Sequence, residues 1–206
     1  MSSPRPVEVE GAVAQELPWL GALELAEVPC DPALRPRDAL RMRLEAFSSS
    51  FRGPRAVRLR EEPVTGAYRR AFRQVGLDPD ILPTPLEAAA RARMIEGGFR
   101  SEGLIEDSLL VALLDTGIPV WALDERRLEG PLALRQSRPG ESAAPGRLVL
   151  ADRRRPVGEL FMEPFEAFVP AAGCERARLY AVTIPGVPRL FVAEALEVAA
   201  QGLAGT

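Results

Sequence analysis

The sequence predicts an α+β fold, helices packed on a mixed or antiparallel sheet, and three observations predict it. Helix-period apolar patterns run through residues 36–116, and short apolar runs separated by Pro and Gly turns run through 118–184. The two kinds of pattern do not follow one another in the regular order of βαβ units. The 206 residues suffice for one well-buried domain, so a single domain over 1–206 is expected, with 1–6 as a flexible tail.

In chain order, residues 4–6 read as a fraying tail and 7–9 alternate as a short edge strand does. Residues 21–28 read as a strand, entered through Pro18 and Trp19, with Trp19 as a core anchor rather than a stacking platform. Pro36, Arg37 and Asp38 start a helix through Phe47, with Leu40, Leu44 and Phe47 on one stripe and Arg37, Arg41 and Glu45 on the other. Residues 48–54 break it. A second helix spans 64–75, with Tyr68, Ala71, Phe72 and Val75 inward and Gly76 closing it. Its successor, 86–96, follows a Pro-rich loop, exposes Arg91 and Arg93, and stops at Gly97 and Gly98.

The stretch from Leu104 to Gly130 is the centre of the pattern. Apolar residues run nearly all round 104–114, which argues for a helix buried on most sides. Gly117 ends it, 118–123 reads as a buried strand, and Asp124 caps the turn that follows. Strands are then expected at 132–134, 148–150, 157–161 and 179–184. A closing helix over 189–203 has Phe191, Ala195, Leu196, Val198 and Leu203 as inward candidates.

Composition bounds the chemistry. With 47% hydrophobic and 27% charged residues the chain reads as globular. No apolar run approaches a membrane span and residues 1–6 hold no signal-peptide core, so a cytoplasmic protein without membrane contact is expected. There is no His, and every basic residue is Arg. That removes imidazole bases, Ser-His triads, histidine metal ligands, Schiff-base lysines and the P-loop lysine together. Two cysteines, Cys30 and Cys174, do not make a four-ligand zinc site and read as isolated thiols. No metal and no cofactor are expected.

Several ordered segments carry a resemblance. Gly117, Pro119, Ala122, Asp124, Leu128, Glu129 and Gly130 form a G-x-P-x-x-A-x-D strand and the turn after it. Arg138, Gly140 and Glu141 make an R-x-G-E turn, and Leu148 to Asp152 make an L-V-x-A-D strand. Upstream lie Tyr68, Arg69, Phe72, Gly76, Asp78, Pro79, Pro83, Thr84 and Pro85. Together these resemble the editing domain of the phenylalanyl-tRNA synthetase β subunit, the B-three/B-four domain, and its stand-alone members in particular. The resemblance implies that family's fold, and tRNA or aminoacyl-tRNA as partner.

The family's pocket, which removes a wrongly attached tyrosine, is lined by a Thr-Asn pair in the central helix, a His in the next strand and a Gly-rich loop. Carried over by motif, the Thr-Asn positions fall on Leu109 and Leu110 and the His on Trp121; of the loop only Gly158 matches. Ester hydrolysis needs a positioned water and a stabilised oxyanion, and two leucines with a tryptophan supply neither. The resemblance therefore implies the fold without the editing set, and a pocket reshaped for a small aromatic or apolar ligand. Asp107 matches the family's Asp before the Thr-Asn pair. It is the candidate catalytic carboxylate, against the plainer reading of a partner for an arginine such as Arg100.

Arg153, Arg154 and Arg155, with Arg147 nearby, are the candidate RNA contacts, although net charge −3 and a pI ≈ 5.3 give no global attraction for nucleic acid. Three readings remain open: a binder of aminoacyl-tRNA or of a small apolar ligand, an active aminoacyl-tRNA deacylase acting in trans, and a non-catalytic partner-binding protein. An open cavity beside Trp121 separates the small-molecule readings from the last.

Overall fold

The computed structural model describes residues 3–51 and 58–204. Its elements begin with β1 (Arg5–Pro6), β2 (Glu8–Val9), α1 (Gly11–Glu16), β3 (Gly21–Pro29), α2 (Asp38–Ser50), α3 (Pro63–Gln74), α4 (Pro85–Glu96) and α5 (Leu104–Thr116). They continue with β4 (Trp121–Asp124), β5 (Ala133–Gln136), β6 (Leu148–Ala151), β7 (Pro156–Glu159), β8 (Arg176–Thr183) and α6 (Arg189–Ala204).

The fold is α+β, with two sheets. One is antiparallel throughout, in the order β1-β3-β8-β4. The other is mixed, in the order β2-β5-β6-β7, with β2 parallel to β5. Residues 5–9 run from the edge of the first sheet to the edge of the second. The helix α6 lies on β3 and β8, α5 packs on α6, and α2 packs on α5. This layering explains why α5 is apolar nearly all round: Ile105, Val111, Ala112 and Leu114 are all buried. Gly202 lets α5 and α6 come close, since a Cβ there would sit 2.8 Å from the Ser108 Cβ.

Local chemistry fixes the helices that border the candidate site. Thr84 and Glu87 form a capping box before Pro85, with the Thr84 amide donating to Glu87 Oε2 at 3.1 Å and its hydroxyl at 2.8 Å. Glu87 also receives Arg69 Nη1 at 2.7 Å, which ties α4 to α3. Gly117 ends α5 at φ +75, the left-handed cap that turns the chain back toward β4.

Several elements differ from the sequence-based expectation, each for a local reason. Residues 5–6 do not fray: they pair with Leu23 and Glu24, and Arg5 Nε donates to Glu24 Oε1 at 2.7 Å. The strand expected over 118–123 joins the ladder only at Trp121, because Pro119 has no N–H to give; Ile118 and Val120 are buried without pairing. Phe191 is 47% exposed, since the buried stripe of α6 runs through Val192, Ala195, Leu196, Ala199 and Leu203. Arg93 is half-buried rather than exposed and donates from Nη2 to the Ser48 carbonyl at 2.6 Å. The helix α2 continues to Ser50, and the part of the expected break at 52–54 lies outside the described residues. The short α1, with Val13 its buried residue, was not expected: six residues are too few to show a period. Among the described residues no helix is long and apolar enough to cross a membrane.

Candidate functional site

A cavity of about 420 Å³ opens beside Trp121. Four segments wall it. The helix α5 supplies Leu109, Leu110 and Leu113, and the start of α4 supplies Pro85 and Ala89. The return after Gly117 brings Pro119 to Trp121, and the segment after β7 brings Phe161 to Glu163. The structure thus brings Leu109, Leu110 and Trp121 together, three positions 12 residues apart in the chain at most.

Trp121 adds less bulk to this space than its size implies. It pairs in register with Tyr180 across β4 and β8, and the two rings stack with centroids 5.3 Å apart and planes 19° apart. Burial raises the Tyr180 phenol far above its ordinary range, and the Glu163 carboxylate adds to the rise. No hydroxyl, amide, imidazole or guanidinium side chain lines the cavity among the described residues; its charged groups are Glu106 and Glu163. Glu106 folds back over Gly103 at the start of α5, where its charge suits the helix dipole. Partial desolvation pushes the still solvent-exposed Glu163 carboxyl up, and hydrogen bonding with the Trp121 side chain offsets part of that rise.

The segment carrying Glu163 is held in an unusual shape. Phe161 has φ +66, uncommon for an aromatic residue, and its ring stacks on Phe72 at 4.7 Å and meets Tyr68 edge-on at 6.1 Å. Gly158 does not line the cavity but stands behind it. It bridges to Pro164, and a Cβ at position 158 would lie 3.2 Å from the Pro164 Cα. A side chain at 158 would make residues 163–164 shift outward by a few tenths of an ångström to close against β7.

Asp107 is placed elsewhere. It is buried in the first turns of α5, where Oδ2 accepts from the Ser101 hydroxyl at 2.6 Å and Oδ1 from the Glu102 amide at 2.9 Å. It borders a separate hollow of about 250 Å³ with Phe99, Glu102 and Leu110. Its partners are therefore the segment that leads into the helix, while Arg100 lies 3.9 Å from Glu96.

The three arginines 153–155 form the exposed turn between β6 and β7, shaped by Asp152, whose Oδ1 accepts from the amides of Arg154 and Arg155 at 2.8 and 2.9 Å. Arg154 pairs with Glu129 at 2.7 Å, and the Arg155 guanidinium lies over the Phe168 ring at 4.7 Å. Arg147 does not join them: it precedes β6 while they follow it, so the four-residue strand, roughly 13 Å long, separates the two. Two arginines that sequence reasoning passed over do join. Arg127 donates to the Ala167 carbonyl at 2.6 Å, beside Phe168, and Arg126 flanks it with its guanidinium on Asp124 at 2.9 Å. Asp124 caps this turn as expected, accepting the Arg126 amide at 3.1 Å, and the Arg126 side chain holds its carboxyl below the usual range. Buried Arg178 fixes the same turn from beneath, donating to the Gly130 carbonyl at 3.2 Å and pairing with Glu125.

Cys30 and Cys174 are both buried, and they are not isolated from each other: burial first, then the neighbouring Cys174, pushes the Cys30 thiol up to about 12. Glu163 and Phe161 gave no sign of their place in the sequence, since Glu-Pro after an apolar run reads as an ordinary turn.

No family model matches the chain. Over 125 residues, 55% of this chain, it is 30% identical to the phenylalanine–tRNA ligase beta subunit of Chromobacterium violaceum. The match spans 15% of that subunit's length, which makes this a distant relationship over a small part of a much longer protein.

Proposed function

We propose that this chain is a binding module of the editing-domain type, which holds a small aromatic or apolar ligand in the cavity beside Trp121 and does not hydrolyse aminoacyl esters. One observation carries the reading: the wall of a cavity of about 420 Å³ is apolar at Leu109, Leu110 and Trp121, where the resembling family places its Thr, Asn and His. Acyl transfer draws most of its acceleration from donors aimed at the developing oxyanion. This wall offers the Trp121 indole alone, and that group faces Glu163. The distant similarity to a phenylalanine–tRNA ligase beta subunit supports a tRNA-related role.

Two assays test the reading. Tyrosyl-tRNA of phenylalanine identity incubated with the protein should deacylate at the uncatalysed rate. A neutral aromatic probe, 2-phenylethanol, should change the tryptophan fluorescence, and Ala89→Phe, which fills the cavity, should abolish that response. Rapid turnover would overturn the binding assignment and put Glu163 forward as a base acting on a bound water. A probe response unchanged in the Ala89→Phe protein would remove the cavity as the site.

A second reading concerns the partner. The exposed arginines 153–155 with Arg126 and Arg127 form one basic end of the molecule, and guanidinium groups suit phosphate. We infer that RNA approaches this end, with tRNA the partner that the similarity supports.

A further inference from the structure

We propose that the cavity beside Trp121 selects a hydrophobic cation, an amine whose ring or chain packs on Leu109 and Leu110 while its ammonium pairs with the Glu163 carboxylate. The inference rests on the binding-module reading and adds the charge of the ligand to it.

The lining carries carboxylates and no cation. Glu106 and Glu163 border the cavity, and no arginine does among the described residues. An anionic ligand would meet like charge there with nothing to offset it, and a neutral one would leave the carboxylates as they are. A cation instead supplies the counter-charge that a partly desolvated carboxylate lacks. Glu106 is the less available of the two, since it folds over Gly103 at the start of α5.

Glu163 is the better partner because its position is fixed. Phe161, two residues before it, sits at φ +66 and is pinned by Phe72 and Tyr68. Pro164, next to it, is held against Gly158. Backbone strain of this kind persists where surrounding packing over-determines it, and it gathers at ligand clamps. The Glu163 carboxylate stands beside the Trp121 indole and is felt by Tyr180 behind it. Its side of the cavity therefore combines an aromatic wall with a negative charge, the pairing that recognises organic ammonium groups.

The test uses three probes of nearly equal shape: 2-phenylethylamine, 2-phenylethanol and 3-phenylpropanoate, titrated against the wild type and Glu163→Gln. Thermal unfolding of the variant should match that of the wild type, as Glu163 is exposed at the cavity mouth. The amine should bind the wild type at least tenfold more tightly than the alcohol, and the propanoate more weakly than either. Glu163→Gln should bring the amine down to the level of the alcohol and leave the alcohol unchanged. Equal binding of amine and alcohol to the wild type would overturn the charge selection while leaving the pocket in place. An amine preference that survives in Glu163→Gln would overturn Glu163 as its partner. Failure of all three probes to bind the wild type would overturn the pocket itself, and this inference with it.

Discussion

At the residue scale, the same carboxylate chemistry has two uses, one on α5 and one in the segment after β7. Asp107 spends both oxygens on the chain that leads into its own helix, at Ser101 and Glu102. Glu163 instead lines the cavity and hydrogen-bonds the Trp121 side chain. A buried carboxylate that accepts two hydrogen bonds contributes to stability rather than to turnover. Asp107→Ala should therefore cost about 1.5–3 kcal/mol in denaturant unfolding, the range for hydrogen bonds to charged groups. The binding of 2-phenylethanol in the neighbouring cavity should be preserved. An unfolding curve that coincides with the wild type would show that the anchor is weak and return Asp107 to the list of reactive candidates. The Tyr180 ring takes one face of Trp121, and the cavity beside the indole stays open.

At the element scale, the fold is set by how closely α5 can approach α6. Substituting alanine for a helical glycine ordinarily gains about 1 kcal/mol of helix propensity. At Gly202 the added Cβ would meet the Ser108 Oγ at 2.7 Å, its Cβ at 2.8 Å and its Cα at 3.2 Å. Overpacking of this kind costs roughly 1–3 kcal/mol, so the clash outweighs the propensity. Gly202→Ala should lower the melting temperature, and Ser108→Gly in the same protein should recover part of the loss by removing the two nearest atoms. A Gly202→Ala protein that melts higher than wild type would show that the two helices separate at little cost. This contact is also where the sequence stops being legible. The apolar pattern of α5 announces a helix buried on most sides, and Gly117 marks its end. Nothing in Gly202 or Ser108 names the other as its partner, because helix contacts depend on tertiary register rather than on local pattern. The site follows the same division. Leu109, Leu110 and Trp121 were readable through the resemblance, whose motifs carry the Thr, Asn and His positions onto them. Glu163 and Phe161 were not, because a left-handed backbone at Phe161, with no glycine to signal it, turns the chain out of β7.

At the scale of the whole molecule, the average charge and the local charge point in opposite directions. With a net charge of −3 the chain as a whole repels RNA at long range, so any affinity must come from the basic end. There Arg153, Arg154 and Arg155 ride on a turn shaped by Asp152, and Arg126 and Arg127 ride on a turn held by Asp124 and Arg178. Both turns are fixed by buried groups, so their side chains are presented on rigid backbone. Four of the five are partly committed: Arg154 to Glu129, Arg126 to Asp124, Arg127 to the Ala167 carbonyl and Asp124, and Arg155 to the Phe168 ring. Each phosphate neutralised steepens the dependence of log affinity on log salt by about 0.7–0.9. A salt series of tRNA binding should therefore show a slope that becomes shallower by roughly 2 in the Arg153, Arg154, Arg155 triple alanine variant, with the remainder carried by Arg126 and Arg127. Arg147→Ala, at the opposite end of β6, should leave the slope unchanged. A triple variant that binds with the wild-type slope, or an Arg147→Ala protein that loses as much as the triple variant, would remove this end of the molecule as the RNA face.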